Sequence, residues 1–398
     1  MSTTKKRGAA VVGAALLAIG ALTGCGSSSS ADADSGPVKV GVVVINAGSY
    51  ASISAGVYTA AEISAKEFGT SDRPIQVVKI ETDGTPANTL QAVTKAAQQE
   101  DVHYVTGFIT SDMAPVLAQQ AARLNYVVLN SVAQDEITKQ TCVPNFFQIA
   151  ATSAQYMLAT KNLLATLPGI KTWDAIGPDY TKGHLQVSEF ADLVQQSGGT
   201  VETEQFPAFG ATEFGPQISA LAAKPADALF SAVAGADAIS FAKQAEAFGL
   251  FKKYKYLVGM AMVLQPLLEP FGSSANGFYD IVTYLPNQAD NGNPAFESAY
   301  SKEAKETGWS VPAAVNTSFN LISAAAEKAK SSDPTKVAAA MSGLSINSVQ
   351  GKVTIRPSDH TLEQSLISVQ DVGGKFKVVK TWSPNQVTTP PSSTCDLS

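Results

Sequence analysis

The chain has 398 residues, a net charge of −6 and a pI near 5.2, with apolar residues at 45% and charged residues at 16%. At about 150 residues per domain that allows two or three domains with sizeable cores, which excludes wholesale disorder. The acidic balance argues against nucleic acid as a partner, and three Cys with three His are too few for a disulfide scaffold or a multi-metal enzyme.

The first residues read as an export signal rather than as part of the fold. Lys5, Lys6 and Arg7 form a cationic start, and Ala9 to Leu22 is an apolar run too short to span a bilayer comfortably. The run ends in Leu22-Thr23-Gly24-Cys25, which resembles the bacterial lipobox. That resemblance implies cleavage before Cys25 and lipid attachment to it; a chance Cys after an ordinary signal is the alternative. Removing these 24 residues, with three basic side chains and no acid, takes the net charge from −6 to −9. Residues 25–37 have no apolar periodicity and are expected to be a flexible tether. The protein is therefore expected outside the cytoplasmic membrane, held to its outer face by the lipid anchor alone. With Cys25 lipidated, Cys142 and Cys395 remain. An oxidising compartment favours a disulfide between them, and two free thiols are the alternative.

The body alternates strand and helix. Val38 to Ile45 is a β-branched run, as in a strand buried on both faces. The pattern then predicts helix Ser52 to Phe68, strand Ile75 to Ile80, helix Ala87 to Glu100, strand His103 to Ile109, helix Ala114 to Leu124 and strand Tyr126 to Leu129. The rhythm breaks from Asn130 to Lys171, with a helix near Tyr156 to Leu167. It resumes with strand Trp173 to Ile176, helix His184 to Gln196, strand Val201 to Phe206, helix Phe214 to Ala222, strand Ala228 to Val233, helix Ala236 to Phe248 and strand Tyr256 to Gly259. Such alternation implies α/β lobes with parallel central sheets, each half contributing four strands. After Tyr279 to Leu285 come helices starting at Pro294, Pro312 and Pro334, each with Pro where a missing N–H costs little. Short strands Lys352 to Ile355, Ser365 to Val372 and Phe376 to Trp382 close the fold. Ser383 to Ser398 is a Pro/Ser/Thr-rich polar tail, not expected to form a regular element.

Motifs for chemistry are nearly absent. There is no Walker loop, no GxGxxG after the first strand and no GxSxG elbow. His103, His184 and His360 match no metal-site spacing, so no catalytic residue, metal or cofactor is called for. Strand ends are more informative. The strand at His103 runs into Thr110-Ser111-Asp112, and the strand at Tyr126 into Asn130-Ser131-Val132-Ala133. Open parallel sheets bind ligands beyond these carboxyl ends, where hydroxyls and free N–H groups suit a carboxylate. The same residues also cap helices in any protein.

The succession Val38–Ile45, Glu81-Thr82-Asp83, Gly107 to Ser111, Val128 to Ser131, Pro178 to Gly183, Ser197-Gly198-Gly199, Pro207 to Phe214 and Pro225 to Ala228 resembles the leucine/isoleucine/valine-binding protein family. These are type I solute-binding proteins of ABC importers. The resemblance spans Val38 to Trp382. It implies two Rossmann-like lobes joined by a three-crossover hinge, with crossings near Gln148–Ser153, Val282–Pro286 and Gln350–Val353. One lobe would be residues 38–150 plus 286–350 and the other 151–285 plus 351–382. It implies a small-molecule ligand in the cleft, and permease and ATPase subunits as partners.

The resemblance also implies site residues, position by position. Ser111 matches the Ser that bonds the ligand carboxylate. Val132, Ala133 and Gln134 match the next contact segment, with Gln134 where Thr is usual. Tyr50 matches an aromatic wall. Tyr180 or Lys182 matches the cleft Tyr of the second lobe, with Tyr180 preferred. Ala234 stands where amino-acid binders carry Tyr, and Ala261 where they carry the acid that pairs with the ligand ammonium. A buried ammonium without an acid is costly. Either Asp112, Asp179, Asp237 or Asp280 supplies the charge, or the ligand is not a zwitterion. The expected ligand is an aliphatic or branched-chain amino acid, or a related small carboxylate or amide. A lipid-anchored sensor with the same lobes, signalling to a membrane partner without transport, is the alternative function.

Overall fold

The computed structural model describes residues 36–47, 50–288 and 294–398. The expected signal segment 1–24, Cys25 and most of the tether lie outside the described residues.

The apolar run Val38–Ile45 forms β1, buried along nearly its whole length. It is followed by α1 (Ala51–Phe68), β2 (Ile75–Thr82), α2 (Pro86–Gln99), β3 (Tyr104–Thr106), α3 (Met113–Ala121), β4 (Val127–Asn130) and β5 (Phe146–Gln148). These strands make a parallel five-stranded sheet in the order β2-β1-β3-β4-β5. After α4 (Ser153–Leu164) the pattern repeats. The second set is β6 (Thr172–Ile176), α5 (Thr181–Gln196), β7 (Thr200–Gln205), α6 (Gly215–Ala223), β8 (Ala228–Ser231), α7 (Gly235–Ala247), β9 (Tyr256–Gly259), α8 (Leu268–Phe271) and β10 (Phe278–Val282). Its parallel order β7-β6-β8-β9-β10 copies the first lobe. Each half thus contributes five parallel strands, one more than expected. Such sheets need a helical crossover between neighbours, so both faces are covered.

The remaining elements are α9 (Pro294–Ala304), α10 (Ser310–Ala329), α11 (Pro334–Met341), β11 (Ser345–Ser348), β12 (Gly351–Ile355), β13 (Leu362–Glu363), β14 (Leu366–Asp371), β15 (Phe376–Trp382) and α12 (Pro384–Val387). Helix α10 returns to the first lobe. Asn316 Nδ2 donates to Ser64 Oγ at 2.9 Å and Ser323 Oγ to the Phe68 carbonyl at 2.9 Å. Strand β14 extends the second sheet antiparallel to β10, and β15 pairs antiparallel to β14 at its edge.

The third crossing differs from expectation. Gln350–Val353 lies in a hairpin, where Ser348 pairs with Gly351 and Ile346 with Val353. The hairpin stays with the first lobe: Thr317 Oγ1 donates to Gln350 Oε1 at 2.8 Å and Asn320 Nδ2 to the Asn347 carbonyl at 3.0 Å. The chain enters the second sheet only after Gln364, at β14.

The tail is also more ordered than its composition suggests. Ser383 and Gln386 form a capping box on α12, and Val387 is buried. Cys395 is disulfide-bonded to Cys142, with Cα atoms 5.4 Å apart.

Candidate functional site

Every residue singled out for binding lies at the carboxyl end of a parallel strand, where such sheets bind ligands. On the first lobe, Tyr50 opens α1, Ser111 follows β3, and Val132, Ala133 and Gln134 follow β4. On the second, Tyr180 opens α5, Ala234 opens α7 and Ala261 follows β9.

The two lobes touch here. Lys182, in the first turn of α5, donates from Nζ to Ser111 Oγ at 2.5 Å and to the Ala133 carbonyl at 3.2 Å. Its approach depends on Gly183, where an added Cβ would sit 2.0 Å from the Pro178 carbonyl oxygen. A side chain there would push the start of α5 off its loop. Tyr50 also crosses the cleft. Its ring faces Gly235, with Cε1 3.6 Å from where a Cβ would stand.

Tyr180 makes a different contact from the one expected. The loops after β6 and β7 are joined by a bridge between Asp179 and Ala208. This sets the Tyr180 ring 5.1 Å from the Phe209 ring. Both rings are solvent-exposed, at 42% and 60%, so they form an aromatic rim. The cross-cleft polar group is Lys182 instead. The sequence placed it in the right loop, but it could not show which side chain reaches the other lobe.

Two of the first-lobe positions, Val132 and Gln134, spend their polar groups within their own lobe, and Ala133 reaches across the cleft. The Val132 carbonyl accepts from Asn130 Nδ2 at 2.7 Å and Gln148 Nε2 at 2.8 Å. The Ala133 carbonyl accepts from Lys182. Gln134 Oε1 accepts the N–H groups of Asp135 and Glu136 at 2.8 and 3.0 Å, and its Nε2 donates to the Ser111 carbonyl at 3.4 Å. Gln134 thus serves the free N–H groups of the following turn. Asn130, read from the sequence as a strand end, and Gln148, read as the start of a crossing, fix this segment through a mutual bond of 2.7 Å.

Of the four acids considered for a ligand ammonium, three already have partners. Asp280 accepts from the N–H groups of Ala261, Met262, Val263 and Ile281 at 2.8 to 3.1 Å. Burial still pushes its carboxyl up to about 6 against those four bonds. Ala261 is exposed with φ of 57°. Asp179 pairs with His184 at 2.8 Å. Asp237 accepts from the Gly210 N–H at 2.7 Å, and burial raises its carboxyl. Asp112 is exposed and makes no capping bond at the start of α3. Asp237 and Asp112 act on both cleft tyrosines. Burial first, then the Tyr180, Asp237 and Asp112 charges, push Tyr50 up to about 12. Tyr180, half-exposed at the rim, is raised by its partial burial first and then by Asp112 and Asp237. Burial lowers Lys182, against the opposing effects of Asp135, Glu189 and Asp112.

Among the described residues no group of three His, Cys, Asp or Glu could hold a metal ion. No helix among them is long and apolar enough to cross a membrane. A separate groove of about 600 Å³ lined by Gln265, Glu269, Lys305 and Glu306 shares no residue with the cleft.

A family model described as periplasmic binding protein matches residues 37–375. Solved structures share the fold. An amino acid ABC transporter substrate-binding protein from Pseudomonas fluorescens Pf-5 is 19% identical with a TM-score of 0.82, covering 91% of this chain and 99% of that one. A solute-binding protein from R. palustris in complex with benzoate is 22% identical with a TM-score of 0.78, covering 87% and 96%. A leucine-binding protein from Thermotoga maritima is 18% identical with a TM-score of 0.77, covering 87% and 99%.

Proposed function

The chain belongs to the periplasmic binding protein family, and from that premise we propose that it is the lipid-anchored receptor of an ABC importer. The family is one of extracytoplasmic solute-binding proteins rather than enzymes. The proposed ligand is a small organic molecule: an aliphatic or branched-chain amino acid, or a related carboxylate or amide. The observation that carries this is the meeting of Lys182 with Ser111 and Ala133, one lobe reaching polar groups of the other. A ligand that touches both sides favours closed over open lobes, and it shifts that equilibrium by no more than this preference. The closed form would then deliver the ligand to permease and ATPase subunits.

The reading is supported by fold neighbours that bind leucine and benzoate. Thermal-shift screening against α-amino acids, aromatic acids and their amides tests it. A bound ligand at a hundredfold excess over Kd stabilises by roughly 2.7 kcal/mol, so at least one class is expected to raise Tm. A flat response across the whole panel would argue against a solute receptor. The anchor is tested separately: Cys25→Ser is expected to move the chain from the membrane fraction to the soluble extracytoplasmic fraction. Retention in the membrane fraction would count against lipidation there.

A further inference from the structure

We infer that Lys182 restricts the cleft to ligands that bear a carboxylate, its ammonium pairing with that group beside the Ser111 hydroxyl. This rests on the receptor function proposed above and names the chemistry of its ligand.

An ammonium has three donors. Lys182 gives one to Ser111 Oγ and one to the Ala133 carbonyl, both neutral acceptors. No ion pair of Lys182 occurs among the described residues. The acids that act on it are Asp135, Glu189 and Asp112, and none of them is bonded to it. Asp135 is spent on the N–H groups of Ser153 and Ala154, at 2.7 and 3.2 Å, and on Lys139 at 2.6 Å. Glu189 is pushed toward its neutral form by burial, and its Oε2 is enclosed without a partner. Asp112 stands exposed at the start of α3.

A half-buried cation without a counter-charge carries a desolvation cost, and a carboxylate placed beside it offsets that cost. Ser111 completes the site. Its oxygen accepts from Lys182, so its own proton is left to donate to a carboxylate oxygen. The carboxylate would then be held from both lobes at once, by charge-assisted bonds that are shorter and stronger than neutral ones. A primary amide of the same shape brings N–H donors toward the ammonium, and its amide group has no negative charge to pair with it. A charged hydrogen bond lost from the site corresponds to roughly tenfold to a hundredfold in affinity.

Calorimetry on the full chain with its disulfide intact tests this with matched pairs. The probes are leucine with leucinamide and benzoate with benzamide, extended to other aliphatic and aromatic acids with their amides. The wild-type chain is expected to bind the acid at least about tenfold more tightly than its amide. Lys182→Met is expected to lose that preference while still binding, and Lys182→Arg to keep it. An undiminished acid preference in Lys182→Met would overturn the inference. Wild-type chain that binds amides and no acid would overturn it while leaving the receptor function standing. Wild-type chain that binds none of the probes would overturn both.

Discussion

The Asp280 carboxylate accepts four backbone N–H groups, three of them from the Ala261-Met262-Val263 loop after β9. Leaving several buried donors unpaired costs about 1–3 kcal/mol each before relaxation. Asp280→Ala is therefore expected to lose roughly 2–4 kcal/mol in denaturant unfolding, and a loss under about 0.5 kcal/mol would show that the loop holds itself. The pH dependence has a definite sign. Burial raises the folded pKa from 3.8 to about 6, so the group's contribution is fully present below 3.8 and is lost as pH rises through about 6. Asp280→Asn should flatten stability across that window, and an unchanged slope would remove Asp280 as its source. Individual roles of this kind were only partly legible in the sequence. Ser111 was placed from its strand end and resemblance. Asp280 and Asp179 looked available, because a sequence shows charge but not the N–H groups or the His184 ring that occupy it. Lys182 and Tyr180 stand two residues apart, and only the folded start of α5 separates a cross-cleft amine from an exposed rim ring.

At the scale of elements, the tail connects parts that the sheets keep apart. It leaves β15 in the second lobe, packs α12 beside α4 through the Asn162 Nδ2 bond to the Gln386 carbonyl at 3.1 Å, and ends in the bond to Cys142 between β4 and β5. On the way Arg356 Nη1 donates to the Thr389 carbonyl and Ser392 Oγ to the Lys139 carbonyl. The paired cysteines are 253 residues apart, so cross-linking them removes much loop entropy from the unfolded chain. Replacing both by Ser is expected to lower unfolding stability by roughly 2–5 kcal/mol. An unchanged denaturant midpoint would mean that the noncovalent contacts alone hold the tail. Long elements were legible because burial on both faces leaves a continuous β-branched run, as in Val38–Ile45. The three-residue β5 was not, since Phe146–Gln148 offers no period to read. The crossing at Gln350–Val353 came from the family resemblance, and a hairpin occupies that position instead.

At the scale of the whole molecule, two lobes with the same strand order face each other through their strand ends, and the chain passes between them three times. That architecture followed from the repeated alternation of strand and helix, together with the family resemblance. Which residues close the cleft did not follow, because closure brings together side chains 71 positions apart in the chain, Ser111 and Lys182. Small-angle scattering with and without ligand measures the movement most directly. On saturation with an acid shown by calorimetry to bind, the radius of gyration should fall for the wild-type chain. It should stay unchanged when Ser111→Ala and Lys182→Met are combined. A wild-type radius that does not change with ligand bound would contradict a receptor that works by closing its two lobes.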